Sequence, residues 1–219
     1  MVRQLKIGTQ PEVKEPRQHF ESPLLQFENL DQARLAAHRC RLCGLCEHRT
    51  NVVFADGNTR AQLMIIGEGP GQQEDEEGIP FVGRAGKLLD KILASGSIDR
   101  AKETYICNIV KCRPPNNRVP SPDEAAACSL YLDAQIEFVR PKLIIAAGAT
   151  AVQRLLKVKD PISRLRGKWF DYKNGAKVMP VFHPSYLLRS DSREVGSPKW
   201  LMWQDIKEVR RALDALNIG

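Results

Sequence analysis

The stretch QLMIIGEGPGQQEDEEGIPFVGRAGKLLDKILASG, residues 62–96, reads as strand, loop and helix. Gln62 to Ile66 is a short apolar run ending in glycine, which suits a strand buried on both faces. Arg84 to Gly96 carries Leu88, Leu89, Ile92 and Leu93 on one helical side, with Gly96 near its end. The same order recurs along the chain. Thr104 to Val110 (TYICNIV) is a second strand, followed by the proline-rich loop RPPNNRVPSP and a helix from about Asp123 to Val139. Leu143 to Ala147 (LIIAA) is a third strand, followed by Gly148 and a helix over ATAVQRLL. Val178 to Phe182 (VMPVF) is a fourth, ending at His183, and a last helix runs from about Lys199 to Leu216. An earlier helix starts near Asp31, taken as its N-cap. Strands alternating with helices imply βαβ units and a mainly parallel sheet covered on both faces. Ligands of such sheets bind at the C-terminal strand ends. Gly67, Asn108 and His183 all stand at such ends, so three separate stretches are expected to meet in one crevice.

The bulk composition narrows the function classes. The chain has 219 residues, 42% of them hydrophobic, enough for one domain with a real core. Lys and Arg number 33 against 26 Asp and Glu, a formal charge of +7 that favours an anionic partner. No stretch is apolar and long enough to span a bilayer, and MVRQLKIGTQPEVKEPRQHF lacks the apolar core of a secretory signal. The expected setting is therefore the cytoplasm, where thiols stay reduced. Residues 1–28 are polar, contain three prolines and read as an arm; residues 29–219 read as a single domain.

Four of the six cysteines fall into two pairs. Cys40 and Cys43 form a Cys-x-x-Cys within CRLCGLC; Cys112 and Cys128 have fifteen residues between them. Thiolates in this number suit an iron–sulfur cluster or a structural zinc better than disulfides. Cys46 follows Cys43 by three residues and is a competing ligand, while Cys107 falls within the second strand as a buried thiol.

The loops add chemistry. GEGPG at 67–71 allows sharp turns and close approach to a ligand, but no GK[ST] follows it. The acidic run that follows repels phosphate and suits orienting water or receiving hydrogen bonds from a neutral base. Glu68 and Glu74 are the candidate acids, whereas Glu76 and Glu77 read as solvated surface. Phe81, between glycines, plugs the core or stacks on an aromatic ring. Asn108 serves as a turn or capping residue, or presents an acceptor and two donors that match the edge of uracil and mismatch cytosine. His183, at a strand end before proline, is placed to donate to developing negative charge. Ser185 and Arg189 are candidate phosphate contacts, and Leu187 or its neighbour a wedge in a duplex. A second patch, Ser163, Arg164, Arg166 and Lys168, reads as phosphate-facing, with Arg166 as a DNA contact, or as a solvated basic face.

Four blocks together resemble the family 4 uracil-DNA glycosylases, which carry a [4Fe–4S] cluster: CRLCGLCEHRTNVVFADGN, residues 67–93 of the opening stretch, YICNIVKCRPPNNRVPSPDEAAAC and VMPVFHPSYLLRSDSREVGSPKWLMWQDI. They occur in the family's order and cover about Asp31 to Leu216. The resemblance implies a three-layer α/β/α sandwich around a four-stranded parallel sheet, and removal of uracil from single- or double-stranded DNA by a monomer, leaving an abasic site. It implies Cys40, Cys43, Cys112 and Cys128 as cluster ligands, because the spacing to Arg49-Thr50 matches Cys40 and Cys43 better than Cys46. It implies a uracil pocket of Gly67, Glu68, Gly69, Phe81, Asn108 and His183. Better-known uracil glycosylases place an aspartate where this chain has Gly69, so Glu68 and then Glu74 are the candidates for activating water. Glu68 argues against a subfamily that lacks an acid there. The stretch KCRPPNNRVPSP has no histidine, which argues against a subfamily that becomes trapped on DNA. The competing reading is a non-catalytic nucleic-acid-binding module stabilised by iron–sulfur or zinc.

Overall fold

The computed structural model describes residues 26–189 and 191–217. The polar arm expected over 1–28 lies outside the described residues up to residue 25. Phe27, assigned to that arm, stacks on Tyr131 with ring centroids 5.8 Å apart.

The strands are β1 (Asp56–Gly57), β2 (Leu63–Gly67), β3 (Thr104–Asn108), β4 (Leu143–Ala147), β5 (Phe170–Asp171) and β6 (Lys177–Val181). The helices are α1 (Leu30–His38), α2 (Gln72–Glu77), α3 (Arg84–Ser95), α4 (Arg100–Glu103), α5 (Pro122–Val139), α6 (Ala149–Leu156), α7 (Ile162–Leu165), α8 (Pro184–Leu187) and α9 (Pro198–Asn217). The sheet order is β1-β3-β2-β4-β6-β5. Its four central strands are parallel, as expected; two-residue antiparallel strands, too short to show in the sequence pattern, finish both edges.

Alternation along each central strand divides the core into two layers. Leu63, Ile65, Ile106, Ile145 and Met179 face α3 and α9, packing with Leu89, Leu93, Ile206 and Val209. Met64, Ile66, Tyr105, Cys107, Ile144 and Val178 face the other way, packing with Ala33, Leu132, Ile136 and Val152. Both faces are covered, so the strands read as unbroken apolar runs rather than alternating ones. This is the α/β/α sandwich.

Local chemistry sets the helix ends. Helix α1 is capped by Asn29, whose side chain accepts from Gln32 N–H, two residues before the expected Asp31. Helix α5 opens with a capping box between Ser121 and Glu124, reinforced by Arg118 on the Glu124 carboxylate. The acidic loop holds a helix that the sequence reading passed over: Gln72–Glu77, ended by Gly78 at φ 73°.

The connections place the crevice. The chain leaves β2 towards β3 on one side and leaves β4 towards β6 on the other. The gap between the C-terminal ends of β2 and β4 is thus the topological switch point.

Candidate active site

A cleft of about 690 Å³ opens at those strand ends, with Glu68, Phe81, Asn108 and His183 in its wall. That is room for a small ligand the size of a nucleoside. The aromatic, the amide and the imidazole share one cavity.

Asn108 ends β3, opposite Gly67 on β2. It is 2% exposed, and its Oδ1 is a buried acceptor with no protein partner among the described residues. Buried acceptors are normally satisfied, so an orphan in a cleft wall marks a ligand donor's place. Ile109 N–H donates to Gly67 O at 2.9 Å and Val110 N–H to Glu68 O at 3.2 Å, extending the ladder past Asn108. The amide is therefore mounted on rigid sheet.

Phe81 is buried and adopts φ 56°, a strained value for an aromatic residue. Arg100 holds the turn by donating to Pro80 O at 2.7 Å and Phe81 O at 2.9 Å, while pairing with Asp90 and Asp56. A Cβ at Gly86 would lie 1.9 Å from Phe81 O, so only glycine lets α3 start this close. The Phe81 ring lies 5.8 Å from the His183 ring.

His183 caps α8. Its Nδ1 accepts the Ser185 backbone N–H at 3.2 Å and lies 2.7 Å from Ser185 Oγ. An Nδ1 that accepts carries no proton, so the neutral ring bears its proton on Nε2. Burial pushes the imidazole below its usual pKa, and Glu68 and Glu74 pull it part of the way back. The result is a neutral donor.

The two candidate acids are held differently. Glu68 Oε2 accepts from Thr150 Oγ1, which bridges the loop after β2 to the start of α6 after β4, across the switch point. Glu74 is engaged by backbone: Oε1 accepts Val82 N–H at 3.0 Å and Gly83 N–H at 2.8 Å, and Oε2 accepts Gly71 N–H at 3.1 Å. It fastens the glycine loop to the Phe81 turn. Asp75 is buried and receives the backbone N–H groups of Thr50 and Asn51, joining this loop to the segment after the first cysteines.

Behind the cleft, Cys40, Cys43, Cys46, Cys112 and Cys128 line a narrow cavity with Arg49, Lys111 and Tyr131. Among the described residues no three His, Cys, Asp or Glu side chains close to the spacing of a single ion; the thiols are spread around the cavity wall. Two donors already point at sulfur: Arg49 Nη1 to Cys112 Sγ at 3.1 Å, and Lys111 N–H to Cys128 Sγ at 3.3 Å. Burial raises the thiols of Cys43, Cys112 and Cys128, the last to about 11. A bound metal centre reverses that penalty by its own charge. Cys107 is buried on β3, as expected.

Comparison with known proteins places these features in a family. The model of the uracil DNA glycosylase superfamily matches residues 54–207. The type-4 uracil-DNA glycosylase of Thermotoga maritima is 47% identical over 173 residues, covering 78% of this chain and 88% of that protein. The enzymes of the same name from Archaeoglobus fulgidus and Saccharolobus solfataricus are 41% and 39% identical, covering 78% and 86% of this chain and 93% and 88% of theirs. The chain is a type-4 uracil-DNA glycosylase family member.

Two residues expected to face DNA do not do so in this glycosylase fold. Leu187 is 1% exposed, packed in the layer with Leu89 and Leu93, and so is no wedge; its neighbour Leu188 is 37% exposed and lines the cleft. The helical turn of α8 points one leucine inward and leaves the next outside. Arg166 is bound to Asp205 through both nitrogens of a fork and donates to Leu201 O at 3.0 Å, with its side chain only 14% exposed. It ties α9 to the segment after α7, and the Nε–Nη2 edge of its fork is committed to Asp205 and Leu201 O rather than turned to phosphate. Ser185 and Arg189 are exposed. Thr150 and Arg100 were missed in the sequence. Thr150 had a usable signal, since it follows a parallel strand's C-terminal end; Arg100 had none, because its partners are carbonyls remote in sequence.

Proposed function

We propose that this protein releases uracil from DNA by hydrolysing its N-glycosidic bond, leaving an abasic site. The observation that carries the reading is the unpartnered Asn108 Oδ1, buried in the cleft that Phe81 and His183 also line. Uracil N3–H is a donor for that oxygen, and O4 an acceptor for the amide NH2. Cytosine presents the opposite pattern at both places and leaves buried groups unpaired.

The deoxyuridine leaves the stack, because its glycosidic carbon is out of reach within a duplex. Phe81 stacks on the extruded base, and the Asn108 amide fixes its edge. As the C1′–N1 bond breaks, its electron pair passes to uracil and charge grows at O2. His183 Nε2–H donates to that oxygen; a neutral donor stabilises the anion without delivering a full proton. Glu68, oriented by Thr150, takes a proton from water as the water adds to C1′ of the oxocarbenium-like sugar. Glu74 keeps the glycine loop in place. Ser185 and Arg189 meet phosphates, and Leu188 fills the gap left in a duplex.

Cys40, Cys43, Cys112 and Cys128 would hold a [4Fe–4S] cluster, and the all-thiol donor set with N–H groups aimed at sulfur fits one. When bound, the cluster would cross-link the segment after α1 to the loop after β3 and to helix α5. Glycosidic hydrolysis transfers no electrons, so the role assigned to it is structural. No helix of the described residues is long and apolar enough to cross a membrane. A monomer acting in the cytoplasm completes the reading.

The test is incubation with a uracil-containing oligonucleotide, followed by alkali. Strand breakage at the uracil is expected. An intact strand at high protein excess would favour a non-catalytic DNA-binding module.

A further inference from the structure

Among the described residues Lys111 is the one lysine or arginine that is fully buried, and the chemistry above does not use it. It is 1% exposed. Its Nζ donates to the Asn108 backbone oxygen at 2.6 Å and to Gln135 Oε1 at 2.5 Å, and lies 6.0 Å from the centre of the Phe54 ring. These acceptors are neutral. Gln135 is itself fixed, donating to Phe54 O at 2.9 Å and Tyr105 Oη at 3.2 Å. A buried ammonium without a facing anion carries a desolvation penalty that an apolar side chain of equal length would avoid. Something must compensate it. The neighbouring cavity would offer the anion once its thiols hold a cluster: Lys111 lines that cavity, and its own backbone N–H donates to Cys128 Sγ.

One residue thus touches both centres. Its main chain holds a cluster-side sulfur, and its side chain holds the carbonyl of the residue whose amide faces the cleft. The Asn108 carbonyl belongs to the 108–109 peptide, whose N–H is tied to Gly67 O, so the lysine and the sheet together hold the strand end that carries the amide.

We propose that Lys111 is a positioning residue: its ammonium is the buried counter-charge of the thiolate cluster and clamps the Asn108 carbonyl, so that the loaded cluster sets the aim of the uracil-reading amide. The inference rests on the reading above, in which the cavity holds a cluster and Asn108 reads uracil.

Lys111→Met and Lys111→Gln separate the two halves. The methionine removes charge and hydrogen bond; the glutamine removes charge and keeps a donor for Asn108 O. Both variants are expected to have a lower cluster reduction potential than the wild type, because a nearby positive charge that favoured the added electron is gone. Inhibition by free uracil should weaken about tenfold in Lys111→Met, the worth of one buried hydrogen bond, and by less than about threefold in Lys111→Gln. Binding of uracil-free duplex should be unchanged in both. Unaltered potential in both variants, or equal uracil inhibition in Lys111→Met and the wild type, would overturn the proposal. If Lys111→Met does not fold, an unaltered potential in Lys111→Gln overturns it alone. A wild-type protein without iron, or without uracil release, would instead defeat the reading beneath it.

Discussion

A Cβ on Gly67 would lie 2.4 Å from Asn108 Oδ1 and 2.6 Å from Phe81 Cζ. The glycine is therefore the space in which the amide and the aromatic ring come together. Neither can retreat, since one stands at a strand end and the other in a clamped turn. Gly67→Ala is expected to lower kcat/KM for uracil release by about 100-fold or more, the usual effect of an ångström-scale misplacement. Iron content should stay at the wild-type level. Near-normal turnover in this variant would mean that the ring and the amide do not hold the base.

Asn108→Asp replaces the NH2 donor with a second acceptor. Uracil O4 then meets an oxygen, and excision should fall by about 10²-fold or more, with discrimination between uracil and cytosine reduced. Matched oligonucleotides carrying U or C, assayed side by side, read both effects. Unchanged rate and selectivity would remove Asn108 from its role.

The pH dependence follows from His183. Its folded pKa lies below the ordinary value of 6.5, because burial disfavours the cation. A depressed pKa keeps the ring neutral to lower pH, so both activity and the histidine's contribution to stability are fully present above 6.5 and are lost as the pH falls through the lower folded value. Imidazole NMR should give a midpoint under 6.5. In Glu68→Gln the midpoint should drop further, since the carboxylate that favoured the cation is gone. A midpoint above 6.5 would contradict the neutral-donor assignment.

The five thiols of the cavity divide by substitution. Cys43→Ser, like Cys40→Ser, Cys112→Ser and Cys128→Ser, should lose iron and destabilise the fold, because the cross-link joins distant segments. Cys46→Ser should retain iron, colour and stability. Iron and sulfide assays with thermal melts decide the ligand set; loss of iron on removing Cys46 would place that residue in it.

Adjacent leucines should separate stability from DNA contact. Leu187→Ala is expected to destabilise by about 2–5 kcal/mol as a core truncation. Leu188→Ala should change stability by less than about 0.5 kcal/mol and slow excision more on duplex than on single strands. Arg166→Ala strands the buried Asp205 and should cost about 3–5 kcal/mol. Denaturant midpoints with parallel assays on both substrates check all three.

The layered fold was legible because buried parallel strands are short apolar runs and α3 shows a clear apolar stripe. The β1 and β5 edges were not, since two residues carry no periodicity. The short helix in the acidic loop was hidden by its composition: with Asp75 alone buried, it has no apolar face to read. Among site residues, Asn108 and His183 were legible as polar breaks at strand ends, and Phe81 as an aromatic residue in a loop between glycines.

The sequence by itself determined the strand–helix order, the loops that carry chemistry and the thiol-rich character of the second centre, because these depend on local pattern and residue type. Only the tertiary structure decided which leucine is exposed, that Arg166 serves Asp205, that Thr150 holds Glu68 and Arg100 the Phe81 turn, and that Lys111 stands between the cysteines and Asn108. Those are contacts between residues distant in the chain, and a buried charge or an orphaned acceptor acquires its meaning only from the groups that folding brings beside it.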